Sequence, residues 1–230
     1  DWAMPGGFVN FDEDLDTAMK RELEEETNLF DSTYFRQLYT FGNADRDPRT
    51  RVITTVYLSM TPAENIKMTS AGDDAMDTGW FTIQKIATTT DGHERKSVLM
   101  LDEEEKGIHL RYEIYDTACD NYVQTRSKLL DSSNAKLAAD HIKAINMAID
   151  VVRNRAASTG IMFNLLPKEC TLREIQEVYE AIVNHPVDTG NFRRDIKKML
   201  VATGNTTIVN GRKVATYSFN PLLPFVKETL

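Results

Sequence analysis

The sequence has little cysteine, no long apolar run and a shortage of basic charge. Two cysteines, Cys119 and Cys170, in 230 residues cannot build a disulfide framework or a four-ligand zinc site, and they suit a reducing compartment. No stretch of 18 apolar residues occurs, and no basic segment followed by an apolar one opens the chain. No membrane span or secretion signal is therefore expected, and the sequence-level expectation is a cytoplasmic protein. Repeats and low-complexity tracts are missing as well. The histidines His93, His109, His141 and His185 share no metal-ligand spacing, and no serine or cysteine nucleophile motif appears, so covalent catalysis has no support. With 27 Lys and Arg against 35 Asp and Glu, the net charge of −8 argues against whole-surface attraction to nucleic acid. The deficit is uneven. From residue 160 onward nine basic residues face seven acidic ones, a charge of +2, which leaves −10 for the first 159 residues. At this length two domains are expected, with different electrostatic tasks.

The acid is concentrated early. "GGFVNFDEDLDTAMKRELEEETNL", residues 6–29, holds five glutamates and three aspartates just after a double glycine. A helical pattern runs from about Asp14 to Thr27. At 100° per residue, Leu15, Ala18, Met19 and Leu23 form its inward stripe, and Glu22 and Glu26 fall on the same side. Like charges one turn apart repel, and burying an unpaired carboxylate costs several kcal/mol. A divalent cation resolves the conflict: Mg²⁺ takes oxygen ligands, keeps some of its waters and accepts substrate phosphates. For a generic glutamate-rich helix a solvated acidic face is the ordinary explanation. Here the spacing decides against it.

Gly7, five residues, Glu13, seven residues, then Arg21, Glu22, Leu23, Glu25, Glu26 and Leu29 resemble the Nudix box. With residue frequencies of about 5–7%, six fixed positions would match by chance at roughly one start in 10⁷, a figure that local acidic bias weakens without rescuing chance. One position departs: Asn28 stands where the family has glycine. That residue ends the helix in a left-handed conformation, where asparagine is the next best choice, so the turn is expected to survive. The resemblance implies that Glu22, Glu25 and Glu26 bind Mg²⁺ or Mn²⁺, with help from a backbone carbonyl at Gly6 or Gly7, and that Arg21 pairs with carboxylates such as Glu13 to hold the loop on the helix. It further implies hydrolysis of a nucleoside diphosphate linked to another moiety, through a metal-activated water.

"DWAMPGGFV" and "FGNADRDPRTRVITTVYL" resemble the strands around the box in ADP-ribose-type members. Arg46, Arg49 and Arg51 make a turn able to grip phosphate, with surface salt bridging as the alternative for each. "AGDDAMDTGWF" resembles the loop that supplies the general base or a further metal ligand. It offers Asp73, Asp74 and Asp77, of which Asp74 is taken as the candidate. The opening on "DWAMPGGFV", read as a strand with nothing before it, suggests a preceding segment beyond Asp1.

Strands are expected at "FRQLYTF" and "RVITTVYLSM", a short strand at "GWFTI", and a hairpin with an acidic turn in "SVLMLDEEEKGIHLRYEIYD". A helix is expected from about Ser133 to Ala157, ending near Gly160. Beyond it, Thr171 and Glu174 form a capping-box signature. Phe192, Ile196, Met199 and Leu200 mark a second helix, and Asn210-Gly211 marks a hairpin. Helix, turn, helix, hairpin is winged-helix order, and "LLPKECTLREIQEVYEAIVNHPVDTGNFRRDIKKMLVATGN" resembles the C-terminal winged helix of Nudix proteins related to ADP-ribose-responsive repressors of NAD metabolism.

The expected fold is α+β: a Nudix α/β/α sandwich with a mixed sheet over residues 1–157, with an insertion at about 97–130, followed by an α+β winged-helix domain over 160–230. Arg193, Arg194, Lys197 and Lys198 form a basic ridge, with Arg212 and Lys213 at the wing tip, in the arrangement double-stranded DNA contacts need. A packing or dimerisation module is the alternative. The resemblance also implies a homodimer. The primary expectation is a Mg²⁺-dependent hydrolase of ADP-ribose or a related nucleotide sugar, releasing AMP and a sugar phosphate. A nucleotide-sensing regulator is the other.

Overall fold

The computed structural model describes residues 1–29, 34–47, 50–68, 78–120 and 122–220. Helix α1 (Leu15–Thr27) is followed by β1 (Tyr34–Phe41), β2 (Thr54–Met60), β3 (Thr82–Asp91), β4 (Glu94–Glu103), β5 (Ile108–Cys119) and β6 (Tyr122–Leu129). Then come α2 (His141–Ala156), α3 (Leu172–Val183), α4 (Thr189–Ile196), β7 (Leu200–Val209) and β8 (Arg212–Phe219). The architecture is mixed α+β. The residues divide into two compact units. One holds α1, β3 to β6 and the first half of α2; the other holds the second half of α2, α3, α4, β7 and β8, together with residues 34–36 and 58–68. Among the described residues no helix is long and apolar enough to cross a membrane.

In the first unit β3 to β6 form an antiparallel meander. The two-residue period of a strand buries Ser97, Leu99 and Leu101 of β4, which pair with Ile114, Tyr112 and Leu110 of β5, and Glu103 and Asp116 are buried at the two ends of the same face. The acidic hairpin turn is present between β4 and β5. The expected short strand at "GWFTI" is in fact the ten-residue β3, which continues through the polar run to Asp91 and pairs with β4 along its length. Its period-2 signal is weak because β3 is an edge strand on which nine of the ten residues are exposed.

Two further expectations are corrected. The helix placed from Ser133 begins at His141. Residues ahead of it are engaged in extended pairing: Trp2 bridges Leu137 in parallel, the Leu137 N–H donates to the Tyr112 hydroxyl at 2.7 Å, and Ala139 takes φ +42°, which a helix cannot contain. Among the described residues the opening segment pairs at Trp2 alone, an isolated bridge where a strand was expected.

The second unit is built on Met162, Leu166, Cys170, Ile175, Phe192 and Ile196. Each fully buried aliphatic or aromatic side chain contributes about 1.5–3 kcal/mol. Helix α3 opens on a complete capping box: Thr171 N–H donates to Glu174 Oε2 at 2.7 Å, and Thr171 Oγ1 accepts from Glu174 N–H at 3.2 Å. The second helix is shorter than its apolar spacing suggests. It ends at Ile196, Lys197–Met199 form a tight turn, and Leu200 already pairs with Phe219 across β7 and β8. The Asn210-Gly211 turn has both residues at positive φ, +49° and +76°, as the two-residue hairpin requires.

Candidate functional site

The site is organised by α1 and the loop before it. Asp14 caps the helix by accepting the Thr17 N–H at 2.8 Å. Asn28 ends it at φ 54° and ψ 26°, donating to the Glu24 carbonyl at 2.8 Å, so the left-handed turn survives the change from glycine.

Arg21 is the hub. Its Nη2 donates to Glu13 Oε1 at 2.6 Å and to the Phe8 carbonyl at 3.1 Å, and its Nε donates to Glu13 Oε2 at 3.1 Å. One guanidinium therefore ties the loop to the helix, the role the resemblance implies for it. Its Nη1 donates to Glu22 Oε1 at 2.7 Å and Glu25 Oε2 at 3.0 Å, which brings those two carboxylates to one nitrogen. Hydrogen bonds from Arg21, then from the Asn10 N–H, hold Glu13 down at a pKa of about 2. The Arg21 guanidinium is correspondingly pushed further up by Glu13 and Glu22.

The glycines give the site its shape. A Cβ on Gly7 would overlap the Glu22 carboxylate where it now lies, so a larger residue there would displace that carboxylate from the backbone. The Gly6 N–H donates to Glu26 Oε2 at 3.1 Å. Glu22 is 16% exposed, Glu25 58% exposed and Glu26 half-buried. Among the described residues no three His, Cys, Asp or Glu side chains are already gathered into an ion cage, and Arg21 bridges two of the candidates. The donor set is hard oxygen, and the Gly7 cradle sets backbone against a carboxylate, which fits Mg²⁺ or Mn²⁺ chemically. Glu22, Glu25 and Glu26 would hold it. An open groove along the same helix is lined by Thr17, Lys20, Arg21, Glu24 and Glu25.

Two of the three arginines expected to grip phosphate, Arg46 and Arg51, are engaged within the protein. Arg46 is 9% exposed, with Nη2 2.7 Å and Nε 3.4 Å from the two Asp140 carboxylate oxygens, a further bond to Thr54, and its guanidinium 5.9 Å above the Phe41 ring. Burial pushes the Asp140 carboxyl up, but Arg46 more than offsets this and leaves it low. Arg51 Nη1 donates to the carbonyls of Gly42 and Asn43 at 2.7 and 3.0 Å. Both arginines thus shape the turn in this structure. Arg49, and the acidic loop with Asp73, Asp74 and Asp77, lie outside the described residues.

Sequence reading missed Asp140 and His141 as partners. His141 Nδ1 accepts the Met4 N–H at 3.0 Å, and burial lowers its pKa, in keeping with a neutral ring. An aspartate just before an apolar helix was the available signal. Tyr57, whose hydroxyl donates to Asp16 at 2.7 Å, is pushed up to about 12 by burial and then by Asp16, and had no sequence signal.

In the second unit Arg193, Arg194, Lys197, Lys198, Arg212 and Lys213 are all exposed. Only Arg193 and Arg194 lie on α4; the two lysines sit on the turn after it. Asp195 pairs with Arg194 at 3.4 Å, which trims the positive face.

Residues 1–101 match the NUDIX domain family, and residues 162–219 match the NrtR DNA-binding winged helix domain. The chain is 26% identical over 222 residues to an ADPR responsive transcriptional repressor of Acinetobacter baylyi, covering 95% of this chain and 69% of that one. It is 34% identical over 94 residues to an ADP-ribose pyrophosphatase of Methanocaldococcus jannaschii, covering 41% of this chain and 53% of the other. Among solved structures it resembles a MutT/nudix family protein from Enterococcus faecalis, with a TM-score of 0.67, 26% identity, and 95% and 73% of the two chains covered. The Shewanella oneidensis NrtR complexed with a 27mer DNA shares the fold, with a TM-score of 0.60, 22% identity, and 94% and 78% covered. Residues 1–101 thus form a Nudix domain and residues 162–219 an NrtR-type winged helix, and the chain is homologous to the ADP-ribose-responsive repressors.

Proposed function

We propose that the chain is a Mg²⁺-dependent Nudix hydrolase, cleaving ADP-ribose or a related nucleotide sugar to AMP and a sugar phosphate. The observation that carries this reading is the close fit of the Glu22 carboxylate into the gap left by the missing Cβ of Gly7, with Glu25 on the same guanidinium nitrogen as Glu22. Glu22, Glu25 and Glu26 hold the cation, and Arg21 and Glu13 fix the loop that presents them. When bound, Mg²⁺ or Mn²⁺ neutralises the diphosphate and lowers the pKa of the attacking water. Asp74 is the proposed base. The similarity to an ADP-ribose pyrophosphatase supports the substrate class. Release of AMP from ADP-ribose by purified protein with Mg²⁺, abolished in Glu26→Gln, is the expected result; no release from ADP-ribose, NADH or related diphosphates removes the proposal.

The second reading is regulation: residues 1–157 sense the nucleotide, and residues 160–230 bind double-stranded DNA. The exposed bases from Arg193 to Lys198 and at the wing tip favour it, as does the match to a DNA-binding family. A salt-dependent shift of an operator-like duplex, lost when Arg193 and Arg194 are neutralised, supports it. Failure to shift any promoter fragment counts against it. Both functions fit in one chain, which we further propose acts as a cytoplasmic homodimer.

A further inference from the structure

The loop between Gly7 and α1 leaves its largest apolar side chains in water. Phe8 is 82% exposed and Phe11 fully so, while Val9 and Leu15 are about half-exposed. An exposed ring forgoes the free energy its burial would supply, so two of them within four residues call for an occupant. The backbone that carries them is pinned. The Phe8 carbonyl accepts from Arg21, the Asn10 N–H donates to Glu13 Oε1 at 2.8 Å, and the Gly6 N–H donates to Glu26. The groups that fix this loop are thus the proposed metal-site residues and their clamp.

We propose that Phe8 and Phe11 form the stacking platform for the base of the nucleotide whose diphosphate is held at Glu22, Glu25 and Glu26. The inference rests on the hydrolase reading above. Phe8 directly follows Gly7, whose backbone lies against the Glu22 carboxylate, so a ring stands one residue from the phosphate-binding end of the site. A nucleoside diphosphate sets a flat base a few bonds from its phosphates and offers a π-face to a pre-positioned ring. A second copy of the chain is the weaker occupant. Asp12, Asp14 and Asp16 are exposed on the same short segment, and a two-fold contact through it would bring like charges together.

The test uses the full chain with Mg²⁺, comparing Phe8→Ala, Phe11→Ala, the double variant and Phe8→Trp on ADP-ribose, with methylenediphosphonate as a base-free competitor. Loss of one stacking ring is expected to raise KM for ADP-ribose by about tenfold, with kcat within about twofold. Methylenediphosphonate inhibition should stay unchanged, and Phe8→Trp should keep the wild-type KM. An unchanged KM in the double variant overturns the proposal, as does an equal loss on both probes. A fall in sedimenting mass with KM unchanged assigns the patch to a second copy instead. Wild-type protein that neither binds nor cleaves ADP-ribose removes the hydrolase reading and this one with it, and is told apart because the parent chain itself fails.

Discussion

Helices α1 and α3 begin and end alike, and are held in place by different forces. Each opens on a side-chain cap, Asp14 or Thr171, and each stops at a left-handed asparagine, Asn28 at φ 54° or Asn184 at φ 60°. Between those signals α3 lays Ile175 into a closed apolar cluster, with Val178, Tyr179 and Ile182 packed against it. Helix α1 leaves Leu15 44% exposed and instead gathers Glu13, Glu22 and Glu25 around Arg21. Burial fixes α3 because its face has no other task. The α1 face is held by charges that a ligand can take over, a property that a binding site requires and a core does not.

The comparison can be broken at either end. The largest effect is expected from Glu26→Gln, which should bring AMP release from ADP-ribose to background while leaving the melting of the winged-helix unit unchanged. Ile175→Ala should do the reverse, costing about 2–5 kcal/mol of stability in urea melts, since it opens a cavity in a closed cluster. Arg21→Ala should weaken Mn²⁺ binding by about 10- to 100-fold, as removal of an orienting partner does, measured by calorimetry. Thr171→Ala should cost about 1 kcal/mol, a cap's worth, seen as a small shift in the same urea midpoint.

The mildest test is pH. Glu13 is held at about 2, below its ordinary 4.5, so its folded form binds fewer protons than its unfolded form. Its contribution is present above pH 4.5 and is lost as pH falls toward 2. An NMR titration of the Glu13 carboxyl should show a midpoint near 2, and a midpoint near 4.5 would mean that the Arg21 clamp does not form.

The Thr171 capping box, the Asn28 helix end, the box spacing and the Asn-Gly hairpin were legible in the sequence, because each is a local signal set by residues within a few positions. The packing of Phe192 and Ile196 was legible through apolar periodicity. The failures were non-local. No spacing shows that Arg46 is spent on Asp140, 94 residues away, or that Leu137 and Ala138 pair toward Tyr112 and Trp2 in place of starting α2. The apolar period also carried the second helix past Ile196, because Met199 remains buried in the turn and Leu200 remains inward at the start of β7. The Nudix resemblance supplied roles for Glu22, Glu25 and Glu26, and it did not show that Arg21 bridges two of them.

That bridge is where the account is most exposed. A crystal soaked in Mn²⁺, studied by anomalous scattering, is expected to show one or more ions on the oxygens of Glu22, Glu25 and Glu26 beside Gly7, with Glu25 released from Arg21. Full manganese loading with the three carboxylates still on Arg21 and Gly6, and no anomalous peak among them, would contradict it.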